Sequence, residues 1–315
     1  VTAFLLRRAA QAIPVLLGVT FVAFLLTYLL PGDPARALAG ERYREEDLAR
    51  IRAELGLDRP AAVQYASYVA RLLRGDLGRS FATGRPVAEE LLERFPRTVV
   101  LAVASLGVAI ALGISLGVAS ARRPGGLVDR ASMVLALGGI SVPVFVSAIL
   151  LLWLFAVTLR WLPPSGWIAE DPRALVLPAF TLGVRSAAMV ARMTRASLVD
   201  VLSADYVRTG RAKGCAEARV LVRHALRNAL VPVVTLVGLD FGSYLSGSVL
   251  TESIFAWPGV GQYAMQAILR RDFPAIQGTV LFLSAIFVAV NLAVDLAYGV
   301  LDPRIRRAWL GREAA

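Results

Sequence analysis

The chain has 315 residues, 57% of them hydrophobic, and a mean hydropathy of +0.63. Soluble domains carry roughly 45–50% apolar residues, so an ordinary soluble domain is excluded and a lipid bilayer is the expected solvent. Lysine and arginine total 34 against 23 acidic residues, a net charge of +11, and Lys213 is the only lysine. Because the arginines cluster in polar stretches between apolar runs, the charge reads as membrane topology and contact with anionic lipid before nucleic-acid binding. A lone Cys215 closes no intrachain disulfide, and a lone His224 builds no multi-histidine metal site.

Six runs are long and apolar enough to cross a hydrocarbon core of about 30 Å. They lie near Ala9 to Leu30, Thr98 to Ser120, Ala131 to Leu159, Ala174 to Val190, Leu230 to Thr251 and Gln277 to Leu301. An all-α polytopic membrane protein with six transmembrane helices is expected. The first run is longer than a signal-peptide core, and Pro31 to Pro34 separate it from the cleavage-like Ala37 to Ala39, so it is read as a retained span. The fourth is the weakest, with Pro178 near its start and Arg185 inside it.

Basic residues in short flanking segments set orientation. Arg7 and Arg8, the Arg122–Arg123 loop with Arg130, the segment from Arg192 to Arg227, and the tail with Arg304, Arg306, Arg307 and Arg312 all fall on one side. That side is read as the cytoplasm, with both termini in it. The expected organisation is an N-terminal span in residues 1–30, an extracytoplasmic segment in 31–97 and a transmembrane core in 98–302. A cytoplasmic loop at 192–228 interrupts the core, and a cytoplasmic tail fills 303–315.

In the external segment, Leu48, Ile51 and Leu55, then Val69, Leu72 and Leu73, follow helical spacing, with Pro60 and Gly75 as punctuation. Two short amphipathic helices follow, lying in the headgroup region or forming part of a docking platform. Within the spans, Gly113 with Gly117, and Gly238 with Gly242 and Ser246, put small residues on one helix face, as close helix packing in lipid requires. Pro143, after Gly138 and Gly139, is expected to bend or unwind the third span. Asp240 and Asp295 sit inside predicted spans, where an ionised side chain costs about 2.5–3.5 kcal/mol at the centre. Each must face protein or water. For Asp295 a buried, satisfied carboxylate is the favoured reading, whereas Asp240 stands evenly between that and a polar lining to a transport route.

The loop between spans four and five carries the densest signal. Asp205 can start a helix and Gly214 can end it in the left-handed conformation, giving a short stub and a turn. Arg219, Arg223 and Arg227 then recur every fourth residue as a basic stripe, with Val220, Leu221 and Ala225 facing elsewhere. Alone, that pattern also suits a helix lying on anionic lipid.

The run from Tyr206 to Gly214, followed by Arg223 to Pro232, resembles the coupling-loop signature of the dipeptide, oligopeptide and nickel branch of bacterial ABC importer permeases. Leu30 to Pro34, Leu73 to Ser80, Glu252 to Gly261, Arg271 to Pro274 with Gln277 and Gly278, and Leu301 to Arg306 resemble the same family in the same order. The long segment after the first span is similar to the B-type subunit. Where the broader permease motif has Glu-Ala-Ala, this chain has Arg208, Thr209 and Gly210, which supports the branch and casts doubt on contacts carried over from other branches.

The resemblance implies a type I importer permease fold in a bacterial inner membrane. It implies a heterodimer with a second, C-type permease, two ATPase subunits and an extracytoplasmic binding protein, in contact with membrane lipids and with no nucleic acid. It implies ATPase-coupling residues at Tyr206, Arg208, Gly210, Lys213 and Gly214, a transport pathway or gate at Asp240 and Glu252, and binding-protein docking at Phe255, Trp257, Pro258 and Gly259. The chain is expected to bind no cofactor and no metal, ATP and Mg belonging to the partner ATPases. A phosphate loop needs a lysine before Ser or Thr, and Lys213 precedes Gly214. The implied cargo is a di- or oligopeptide, with nickel chelate, glutathione or oligosaccharide as alternatives. A proton-coupled secondary transporter is the rival of another class, served by Asp240 and Asp295 but lacking visible paired repeats. A membrane-embedded hydrolase is disfavoured by the place of His224 in the basic loop.

Overall fold

A computed structural model describes residues 2–29, 35 and 45–301. The motif from Leu30 to Pro34, the tail in 303–315 and nearly all of the Leu301 to Arg306 motif lie outside the described residues. Among the described residues every element is helical: α1 (Thr2–Leu29), α2 (Glu45–Leu55), α3 (Ala61–Leu72), α4 (Val87–Arg122), α5 (Leu127–Ser141), α6 (Val144–Thr158), α7 (Pro172–Leu202), α8 (Asp205–Ala212), α9 (Glu217–Ala229), α10 (Val231–Gly247), α11 (Val249–Ile254), α12 (Val260–Arg270) and α13 (Phe273–Leu301).

Each predicted span falls on helix. α4, α7 and α13 are single helices long and apolar enough to cross a membrane, and two further helix pairs, α5 with α6 and α9 with α10, reach that length and apolarity only when taken together across a bend. The pair α5 and α6 turns through 103° at Val142 and Pro143, where the proline removes a backbone donor and Val142 adopts extended geometry. The third predicted span is therefore two half-length helices. The pair α9 and α10 bends by 52°. In α1 the apolar stretch is Ala10–Leu26.

α7 explains its own weak signal. Of its most apolar window 61% is buried within the chain, against 28% for α4 and 6% for α13. A helix surrounded by protein needs less apolar surface than one facing lipid. α4 and α7 form the most intimate pair, and glycine makes it possible. A Cβ on Gly113 would lie 2.6 Å from Val190 Cβ, one on Gly117 2.7 Å from the Ala191 carbonyl oxygen, and one on Gly183 2.6 Å from the Ser105 carbonyl oxygen. Gly238 meets Val294 nearly as closely, a Cβ there lying 2.9 Å from Cγ1, and Gly242 faces Val290 at ordinary contact distance, seating α10 on α13.

α1 packs on α13, where Arg8 pairs with Asp295 at 3.1 Å, so the intramembrane carboxylate is satisfied by an arginine of the first span. The two amphipathic helices expected outside the core are α2 and α3. The second rests on α1: Thr20 Oγ1 and Tyr65 OH lie 3.0 Å apart, Tyr28 OH donates to Gln64 Oε1, and Phe24 packs against Tyr65 and Tyr68.

Candidate functional site

The turn after α7 leads directly into the stub. Asp205 is the first residue of α8, and Thr209 Oγ1 donates back to its carbonyl oxygen. Gly214 ends the helix at φ +76°, and its N–H donates to the Arg211 carbonyl, so the left-handed stop expected from sequence is present. Val207 anchors the stub, 0% exposed, while Arg208, Arg211, Lys213 and Gly214 stand at the surface. Tyr206 is 47% exposed, with its hydroxyl accepting from Asn228 Nδ2 at 2.9 Å. Arg211 donates through Nε and Nη2 to the two carboxylate oxygens of Glu217, at 3.1 and 2.7 Å, which closes the loop across its turn. Those hydrogen bonds hold the Glu217 carboxyl below its ordinary pKa.

A Cβ on Gly210 would meet nothing within 4 Å, so nothing inside the chain demands glycine there. Arg219, Arg223 and Arg227 are all exposed on α9, and Val220, Leu221 and Ala225 are buried. Residues Val220–Leu226 wind as a π-helix, a departure from the regular α-helix that four-residue spacing suggests. The underside of α9 forms a cluster with Ala121 at the end of α4 and Leu198 near the end of α7. Beside it, Arg195 on α7 forms a two-pronged ion pair with Asp129 in the first turn of α5, and Asp129 also accepts from Gly125 N. The stub is thus mounted through α9 on the ends of α4 and α7, with the start of α5 tied to α7 alongside. Sequence reasoning missed the Asp129–Arg195 tie, because no periodicity links residues 66 positions apart.

At the opposite end of α4 a second assembly gathers the remaining motifs. Glu252 is 0% exposed. Its Oε1 accepts from Thr98 Oγ1 and Ser248 Oγ, and its Oε2 from the backbone N–H groups of Gly261 and Gln262 at 2.7 and 3.1 Å. Val260 N–H donates to Thr98 Oγ1. These are the first three amides of α12, the donors a helix start leaves unsatisfied, so Glu252 acts as its cap from nine residues upstream. Asp272 does the same for α13. It accepts from Ala275 N while receiving Ser80 Oγ and the N–H groups of Phe81 and Ala82, which joins the Leu73 to Ser80 motif to the Arg271 to Pro274 motif.

These placements bear on two expectations. Glu252 does not line an open route in this structure, since burial and four hydrogen bonds hold it inside the cap. Phe255 and Trp257 are 2% and 0% exposed, and Gly259 is buried, so none offers surface to a docking protein. Trp257 Nε1 donates to the Arg97 carbonyl and its ring meets Trp167 edge-on at 4.8 Å. Gly259 has no room for a side chain, a Cβ there lying 2.4 Å from Glu252 Oε2. Pro258 is half-buried at the edge. Asp240 sits on α10, half-buried, apart from the capped assembly.

Residues 1–102 match the N-terminal region, and residues 109–307 the body, of a family described as binding-protein-dependent transport system inner membrane component. The chain belongs to this family of inner-membrane ABC importer permeases. Among relatives of this permease, a Brucella abortus (strain 2308) protein named as a peptide transport system permease is 47% identical over 97% of this chain and 99% of its own length. A Salmonella typhi glutathione transport system permease is 44% identical over 96% of this chain and 98% of its own length. The methionine ABC transporter MetNI, solved in inward-facing conformations, has a chain matching at a TM-score of 0.55 and 20% identity, covering 67% of this permease and 96% of that chain. That likeness shows the fold. Such a permease works with a separate binding protein and separate ATPase subunits.

Proposed function

We propose that this permease forms half of the translocation pathway of a peptide importer, pairs with a second, C-type permease, and takes its driving force from two ATPase subunits seated against α8. The observation that carries this reading is α8 itself: a short, exposed, basic helix with one buried anchor, tied by its turn and its ion pair to α9, which sits on the ends of α4 and α7. Gly210 supports it, because a helical glycine costs about 1 kcal/mol relative to alanine, nothing within the chain needs its missing side chain, and a closely fitting ATPase surface would. Tyr206, Arg208, Gly210, Lys213 and Gly214 are the coupling residues, on the cytoplasmic side. The capped assembly of Glu252 and Asp272 then lies outside, as a rigid support beneath the binding protein, with Pro258 at its edge. Peptides are the cargo because full-length relatives are named for peptide and glutathione transport. Glutathione, itself a small peptide, is the second reading, carried by the Salmonella relative.

The test is transport by the purified complex in proteoliposomes with binding protein and labelled peptide. Uptake is expected to require ATP hydrolysis and to persist when an uncoupler collapses the proton gradient, and this chain alone is expected to hydrolyse no ATP. Uptake driven by a proton gradient without ATP would replace the importer reading with a secondary transporter.

A further inference from the structure

Arg185 lies near the middle of α7, about 20 Å by helix rise from Pro172 and about 26 Å from Leu202. A guanidinium at such depth must face water, protein or an anion. The side chain is exposed, and among the described residues it makes no hydrogen bond and no close ion pair. Its opposite charge is nearby yet unjoined: Asp240 on α10 lies within electrostatic reach of Arg185, with Oδ2 covered and lacking a hydrogen-bond partner. Ser186, which also lies against Tyr244 OH, hydrogen-bonds the Asp240 carboxylate, so Asp240 is held from its own side and not by Arg185.

Arg185 also borders a cavity of about 540 Å³ at the break between α5 and α6, walled by Val134, Leu135, Val142 and Phe180 with Ser147 and Thr181. Arg185 is the single charge among the residues lining it. A mostly apolar recess with one placed charge is the usual make-up of a small-molecule subsite, and the volume falls in the range of about 300–1,000 Å³ that such sites have. Arginine presents a planar fork of donors matched to a carboxylate.

We infer that Arg185 is a midspan carboxylate subsite on the translocation route, receiving the C-terminal carboxylate of a peptide in transit while the adjoining recess takes an apolar side chain. This rests on the peptide reading above.

The test compares uptake of an apolar dipeptide and its C-terminal amide by complexes carrying wild-type chain, Arg185→Gln or Arg185→Lys. Any preference of the binding protein for the free acid is common to all three and cancels in the ratio. Arg185→Gln is expected to lower uptake of the free acid by about tenfold relative to the amide, the loss of one charge-assisted pair, with Arg185→Lys between. Equal loss of both peptides would overturn the subsite. So would loss of the second permease from the purified Arg185→Gln complex, since the guanidinium would then serve a subunit carboxylate. A wild-type complex that imports neither peptide removes the peptide reading and this inference together. Intact wild-type uptake with an unchanged ratio removes this inference alone.

Discussion

At the scale of single residues, two buried carboxylates show how charge is used away from the route. Glu252 and Asp272 each spend their acceptors on helix-start amides and on hydroxyls from distant segments, Thr98 and Ser80. Removing a buried acceptor leaves its donors without partners, at about 1–3 kcal/mol. Glu252→Ala should therefore lower the thermal midpoint of the detergent-solubilised complex well below that of Glu252→Gln. The carboxamide oxygen can still accept from Gly261 and Gln262 N–H, while its NH₂ donates to the rotated hydroxyls of Ser248 and Thr98. Equal midpoints for the two variants would deny Glu252 the capping role. Gly214 gives a second residue-scale prediction. A Cβ there meets nothing within 4 Å, so its fault would be conformational: a β-branched residue at positive φ carries more than the roughly 1–2 kcal/mol left-handed penalty. Gly214→Val should insert and assemble yet lose stimulation of ATPase activity by transport, with Gly214→Asn close to wild type; coupled uptake by Gly214→Val would contradict the turn geometry. Gly214 was legible in sequence because a helix stop is a local matter. The cap at Glu252 was not, since one of its partners lies 154 residues away.

At the scale of elements, the pairing of α4 with α7 sets the frame on which both ends are built. Small-residue spacing pointed to close packing at Gly113 and Gly117, and the structure supplies the partner that spacing alone leaves open, a helix of the same chain. Gly117→Ala should force the helices apart, since its Cβ would lie 2.6 Å from Thr194 Cβ; overpacking of this kind costs about 1–3 kcal/mol. Gly107→Ala, on the same helix with nothing within 4 Å, should be neutral or stabilising by up to about 1 kcal/mol. Thermal midpoints of the two variants measure the difference directly, and a neutral Gly117→Ala would refute the close contact. The low hydropathy of α7, the weak point of span assignment, follows from its burial among neighbours. Pro143 announced the break in the third span, but its 103° angle could not be read from a residue list, because it depends on how α6 packs against α7.

At the scale of the whole molecule, α4 joins the two assemblies. Thr98 stands in the capped end and Ala121 under α9, which carries the stub, about 35 Å apart by helix rise, so a movement of α8 passed on through α9 has a stiff path to the far end. Of the basic segments assigned to one side of the membrane, those from Arg122 to Arg130 and from Arg192 to Arg227 come together: the ends of α4 and α7 meet α9, and Arg195 reaches Asp129. The order of motifs along the chain carried the family and the architecture. The chemistry of the route stayed hidden, because Arg185 looked like a flaw in a span until its cavity and its unpaired state were visible. The side on which α8 lies decides the account most directly, and Lys213, as the sole lysine, reports it without mutagenesis. Membrane-impermeant amine labelling, read by mass spectrometry of the peptide carrying Lys213, should modify it in inside-out vesicles stripped of ATPase subunits, spare it when those subunits are bound, and spare it in intact spheroplasts. Modification of Lys213 in intact spheroplasts would place the stub outside, away from any ATPase, and contradict the coupling mechanism.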